Sequence, residues 1–174
     1  MTTVPGNTGE ITAAREELLR AEAAHGDNHP VTAFMLSNLA LAMREAGYFN
    51  YAEHYAHQAL AILERRFGPT DVSLVPALNV LAEAAASQAR YTQAAAFTDR
   101  AISIGPDAGA HYGTALHNRA AIYQAEGDFE RAAELYRRAL AVREQVLPAG
   151  HPYIQLTRAA LKQVRRSAKV TAHR

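Results

Sequence analysis

"GDFERAAELYRRALAVRE", residues 127–144, restates "GYFNYAEHYAHQALAILE", residues 47–64, with the charges changed and the small and apolar letters kept. A catalytic helix needs writing once, whereas a packing unit needs writing again wherever it packs. Shifting the chain by 42 places Ala52 on Ala94, Phe49 on Tyr91, Tyr55 on Phe97, Ala59 on Ala101, Leu60 on Ile102 and Ile62 on Ile104. A further shift of 38 reaches Ala132, Phe129, Leu135, Ala139, Leu140 and Val142.

Each copy is preceded by a second helical phrase, "MLSNLALAMREAG", "ALNVLAEAAASQA" and "ALHNRAAIYQAEG". Their columns Leu36/Leu78/Leu116, Ala40/Ala82/Ala120 and Met43/Ala85/Tyr123 recur at three- to four-residue spacing, which sets one apolar helical face. The spacing predicts three pairs, helix A then helix B, turning at Gly47, Ala89 and Gly127. Alanines such as Ala40 and Ala52 let paired helices approach closely, and Phe49, Tyr91 or Phe129 can plug the turn. Neither helix buries its stripe alone, so stacked neighbours must complete the core. The expected fold is all-α, an α-α superhelix of about eight antiparallel helices.

The pattern resembles the tetratricopeptide repeat. The period of about 42 residues and "GDNHPVTAFMLSNLALAMREAGYFNYAEHYAHQALAILE" resemble most the kinesin-light-chain-like subclass, whose connecting loops carry His-Pro. His-Pro stands at 29–30 and 151–152, three periods apart, and proline suits a first helical turn, where no N–H is required. The resemblance spans about residues 9–170, with repeats at about 30–67, 72–104 and 110–147. Two departures mark the junction between the second and third repeats. The spacing is four residues short, with "IGPDAG" (104–109) replacing the longer helix end in "ILERRFG", and Arg119 occupies the column of Leu39, Leu81 and Leu161. A shortened helix B gives Arg119 a route outward past it.

The same register leaves helices at about 9–25 and 152–169 without a partner. Arg158, Lys162 and Arg165 continue three core columns on the face where a further helix would pack, while Thr157, Leu161 and Val164 keep the inner face apolar or small. At the other end Glu17 stands in the column of Ala59, Ala101 and Ala139. Both ends read as polar caps of a complete, monomeric solenoid. Flexible segments are expected at 1–8 and 171–174.

Composition limits the alternatives. The 38 alanines among 174 residues favour helix, and the absence of cysteine removes disulfides, thiolate metal sites and cysteine nucleophiles. "MTTVPGNTGE" has no basic and apolar leader pattern, and no apolar run approaches the roughly 20 residues that span a bilayer. The expectation is a cytoplasmic protein without membrane contact. Beyond Glu144 there is no carboxylate side chain but six basic ones, against twelve basic and seventeen acidic in residues 1–144. That stripe reads either as a solvated cap or as a patch for nucleic acid or an anionic surface.

His54 and His57 share a helix face but have no third ligand at metal spacing, and no nucleophile elbow, phosphate loop or H-E-x-x-H is written. The expectation is no catalytic residue, no metal and no cofactor. What the resemblance implies instead is a concave surface lined by the A helices. Their faces away from the core give Phe34, Ser37, Asn38, Leu41 and Arg44, then Asn79, Val80, Glu83 and Ser87, then Thr114, His117, Asn118, Ala121 and Gln124. Asparagine is a poor helix-interior residue, and here it recurs in three A helices. Its amide suits the backbone of an extended peptide, or else bridges neighbouring helices. The candidate peptide-binding set is Phe34, Ser37, Asn38, Leu41, Arg44, Asn79, Val80, Glu83, His117, Asn118 and Gln124, with Arg44 and Glu83 setting charge preference. Chaperone-binding domains of this repeat clamp a terminal carboxylate with Lys, Asn, Asn, Lys and Arg. Here those positions hold Ser37, Leu41, Val80, Thr114 and Asn118, with no cation. The expected role is a non-enzymatic scaffold for a protein or peptide partner.

Overall fold

A computed structural model describes residues 8–172. The expected flexible segments fall outside the described residues at 1–7 and 173–174, while Thr8, Thr171 and Ala172 are helical. Eight α-helices follow one another among the described residues: α1 (Thr8–His25), α2 (Pro30–Glu45), α3 (Phe49–Phe67), α4 (Val75–Ser87), α5 (Tyr91–Ile104), α6 (Ala110–Ala125), α7 (Phe129–Val146) and α8 (Pro152–Ala172). Short 3-10 turns at Val72–Leu74 and Pro106–Ala108 lead into α4 and α6. Each helix packs on its successor, and α2, α4 and α6 also pack on one another as one layer. No helix is long and apolar enough to cross a membrane among the described residues.

The pairs close on alanine. Ala40 and Ala52, Ala82 and Ala94, and Ala120 and Ala132 are all buried, so each pair's backbones meet without a large side chain between them. Around these contacts Leu36, Leu39, Leu63, Leu78 and Leu81 form the main core, and Leu161 and Val164 pack with Tyr136 in a second cluster under α8.

The three A-to-B turns share one hydrogen-bond plan. Tyr48, Arg90 and Asp128 donate backbone N–H to Met43, Ala85 and Tyr123, each at 2.8–2.9 Å, which requires a left-handed residue just before. Gly47 (φ 81°) and Gly127 (φ 83°) supply it freely, but Ala89 adopts φ 57° with a Cβ to accommodate. Tyr91 does not plug its turn: it is 40% exposed and lines the concave face.

The His-Pro pairs start helices. His29 Nδ1 accepts from the Val31 N–H and His151 Nδ1 from the Tyr153 N–H, each at 3.2 Å, with proline in the first turn. In register, Asp71 does the same for Ser73 at 2.9 Å. At the fourth place stands Gly109, with φ 58° and no side-chain cap.

At the shortened junction α5 ends at Ile104 on Gly105. Arg119 leaves its leucine column toward α5, its Nε donating to Asp99 at 2.7 Å, and its guanidinium lies 4.1 Å from the centre of the Tyr123 ring. A charged residue thus occupies a core column by laying its planar head on an aromatic and its donors on an exposed carboxylate.

Candidate functional site

The A-helix layer encloses one groove of about 840 Å³. Phe34, Ser37, Asn38, Leu41 and Arg44 of α2, Asn79, Val80 and Glu83 of α4, and His117 and Asn118 of α6 all line it. Gln124, the remaining member of the expected set, does not: its Oε1 accepts the Tyr136 hydroxyl at 3.1 Å. Sequence register placed the column correctly, but the partner across the helix pair takes the amide away from the groove.

Those ten residues divide by what is left to offer. Phe34, Asn38 and Leu41 are exposed, and together with Tyr91, Tyr153 and Leu156 they give the groove an apolar rim. Ser37, Asn79 and Val80 form the floor and are buried, Ser37 donating to the Ala33 carbonyl at 3.1 Å.

The three asparagines part company. Asn79 donates to the His111 carbonyl at 2.9 Å, and its buried Oδ1 has no partner. Asn118 donates to Glu83 Oε1 at 2.8 Å, and Glu83 also pairs with Arg44. Both amides therefore stitch neighbouring A helices, and Arg44, Glu83 and Asn118 form one chain across α2, α4 and α6. Arg44 pairs with both Glu83 and Glu45, so neither Arg44 nor Glu83 sets a charge preference alone. Asn38, exposed and without a hydrogen bond to the protein, is the asparagine open to a ligand.

The end of the groove next to α8 holds residues outside the expected set. Arg143 of α7 lines the groove but is only 2% exposed. Nη1 donates to the Tyr153 carbonyl at 3.0 Å and to the Thr157 hydroxyl, and Nη2 donates to Thr114 Oγ1 at 3.1 Å. Its Nε is buried without a partner, and desolvation pushes its pKa down. The signal was available in the repeat register, where Arg143 stands in the column of Leu63 and Gly105. Gly113 makes the room, since a Cβ there would meet Arg143 Cγ at 3.0 Å.

His117 sits beside this recess, its Nδ1 3.2 Å from Thr157 Oγ1 and its ring edge-on to Tyr136 at 5.0 Å. Burial, and secondarily the Arg143 charge, lowers its pKa to about 4, so the imidazole is neutral at pH 7. His54 and His57 lie apart on α3, His57 Nε2 being 3.9 Å from Glu53. No group of three or more His, Cys, Asp or Glu is placed to hold a metal among the described residues.

The basic stripe of α8 faces outward. Arg158 pairs with Glu144 at 2.6 Å, and Lys162 and Arg165 are exposed, whereas Thr157, Leu161 and Val164 are buried against the preceding pair.

Comparison with known proteins agrees with this architecture. The sequence model of the tetratricopeptide repeat matches residues 32–72 and 113–153. No match was found among curated protein sequences. Among solved structures, BtubC (BKLC) from P. vanneervenii is similar at 22% identity and TM-score 0.73, over 92% of this chain and 67% of that one. A putative kinesin light chain from Podosopora anserina with nearly identical TPR-like repeats is similar at 18% identity and TM-score 0.65, over 94% and 79%. RapI in its apo form is similar at 16% identity and TM-score 0.74, over 92% and 59%. These likenesses are of fold.

Proposed function

We propose that this chain, which carries the tetratricopeptide repeat at residues 32–72 and 113–153, a fold that is in general a protein-interaction scaffold, is a non-enzymatic scaffold holding an extended peptide or protein segment in its concave groove. The observation that carries this reading is one continuous groove, rimmed by exposed Phe34, Leu41, Tyr91, Tyr153 and Leu156, over a hydrogen-bonded polar floor. Apolar side chains left in water on a concave surface gain by being covered, at roughly 25 cal/mol per Å². Asn38 supplies the free amide. On this reading α1 and α8 turn polar outer faces to solvent through Glu17, Lys162 and Arg165, and the scaffold is a cytoplasmic monomer.

The test is a comparison of exposed-rim variants with a floor variant against a peptide selected for binding to the wild type. Phe34→Ala and Leu41→Ala should each weaken binding about tenfold, and Asn38→Ala by several-fold, with circular dichroism unchanged. Asn79→Ala should act through stability instead, because its amide ties α4 to the start of α6. Binding indifferent to all three exposed positions sinks the groove reading. The competing role of the α8 stripe as a nucleic-acid or anionic-surface patch predicts affinity that falls steeply with salt. Its leading cation, Arg158, is already paired with Glu144.

A further inference from the structure

The groove lining contains one carboxylate, Glu83, and two guanidinium groups, Arg44 and Arg143. Glu83 is taken by Arg44 and Asn118. His111 and His117 also line the groove, and His117 carries no charge at neutral pH. Arg44 is shared with Glu45, and Glu83 reaches Arg143 only through its charge, so Arg143 has no carboxylate in contact: it is almost fully out of water, with all three of its hydrogen bonds to neutral oxygens. A guanidinium has five N–H donors, so two remain, one of them the unpartnered Nε–H. A buried charge in that condition is costly unless a counter-charge arrives.

We propose that Arg143 anchors a carboxylate side chain, Glu or Asp, of the segment lying in the groove, and this rests on the groove reading above. The chemistry points to a carboxylate rather than a phosphate, because one cation with two free donors matches one monoanion in a fork-to-fork pair. A side chain fits better than a chain terminus. Its slim stem can descend into the recess while the peptide backbone stays level with Phe34, Leu41 and Leu156. Tyr153, 42% exposed with its ring centre 5.2 Å from the guanidinium, stands at the groove side of the recess. Thr114 and Thr157 hold the guanidinium in place before any ligand binds, and Gly113 leaves room for its stem. The anchor comes from a B helix, and it differs from the terminal-carboxylate clamp, whose matching A-helix positions hold no cation here.

The experiment uses the full chain and two probes. The first is a positional-scanning library of N-acetylated, C-amidated hexapeptides, including phosphoserine. The second is N-acetyl-glutamate methylamide with its glutamine counterpart, read on the Arg143 Nε–H nuclear magnetic resonance signal, assigned by its loss in Arg143→Met. The proposal expects a Glu or Asp preference at one position, about tenfold over Gln or Asn. It expects that preference to vanish in Arg143→Met and to shrink in Arg143→Lys, which keeps the charge without the fork, with both variants folded by circular dichroism. The Nε–H signal should move with the glutamate compound and not with the glutamine one. Peptides that bind through Phe34 and Leu41 with no acidic preference overturn the anchor and leave the groove reading standing. A signal that responds to the glutamate compound while no peptide binds keeps the anchor and sinks the groove reading. Preference for phosphoserine over an internal acid overturns the assignment to a carboxylate side chain.

Discussion

At the residue scale the informative positions are those that break the repeat's own rule. Ala89 holds a left-handed conformation that its counterparts give to glycine, at a cost on the order of 1 kcal/mol. Ala89→Gly should therefore raise the midpoint of thermal unfolding by about 2–4 °C, read by differential scanning calorimetry. Arg143→Met should leave that midpoint unchanged or raise it: the desolvated charge goes, the stem volume stays, and Thr157 still has the Tyr153 carbonyl as acceptor. A marked fall would mean that the guanidinium is a structural tie. His117 gives a pH prediction. Its folded pKa of about 4 lies below its unfolded value of about 6.5, so the unfolded chain binds the proton first. The associated stability is complete above pH 6.5 and is lost as pH falls toward 4, by ~3 kcal/mol at most. His117→Gln should flatten that limb relative to wild type in denaturant titrations at pH 7, 5.5 and 4.5.

At the element scale the question is which contact holds the junction where α5 has been shortened. The Asp99 carboxylate is more than half exposed, so its pair with Arg119 is screened and worth little. The Arg119 stem and its stacking on Tyr123 are covered. Asp99→Ala should cost less than about 0.5 kcal/mol, whereas Arg119→Ala should cost about 1–2 kcal/mol, measured by urea unfolding. Similar costs for the two would mean that the ion pair, and not the stacking, fixes Arg119 in place.

The helix pairs, their turns and the Arg119 escape route were legible because they follow from three-to-four spacing and column identity, both local in the sequence. The cap played by His29 and His151 was visible as a dipeptide, but the side chain accepting the N–H was not, since that depends on a rotamer. Gln124 escaped for the same reason, and the choice between bridging and an open amide at Asn79, Asn118 and Asn38 stayed open until the neighbours were placed. A helical wheel places a side chain on a face without saying which neighbour's donor it meets. Arg143 was missed differently: it lies on a B helix, where the resemblance drew no attention, although its column of Leu63 and Gly105 marks it as anomalous.

At the scale of the whole molecule, stability adds up from what each helix pair and each junction between pairs contributes, with a main core running from α1 through α4 into α5 and α6 and a second cluster under α8. The groove runs across both. Its floor carries the chain Arg44–Glu83–Asn118, which crosses from α2 through α4 to α6. Nothing in the apolar columns fixes how tightly successive A helices fan apart, because leucine and alanine contacts tolerate small rotations. A directional polar chain does not tolerate them. Those three side chains thus act as a gauge on superhelical pitch, and they hold the spacing at which Phe34 at one end of the groove and Arg143 at the other are presented to whatever spans them.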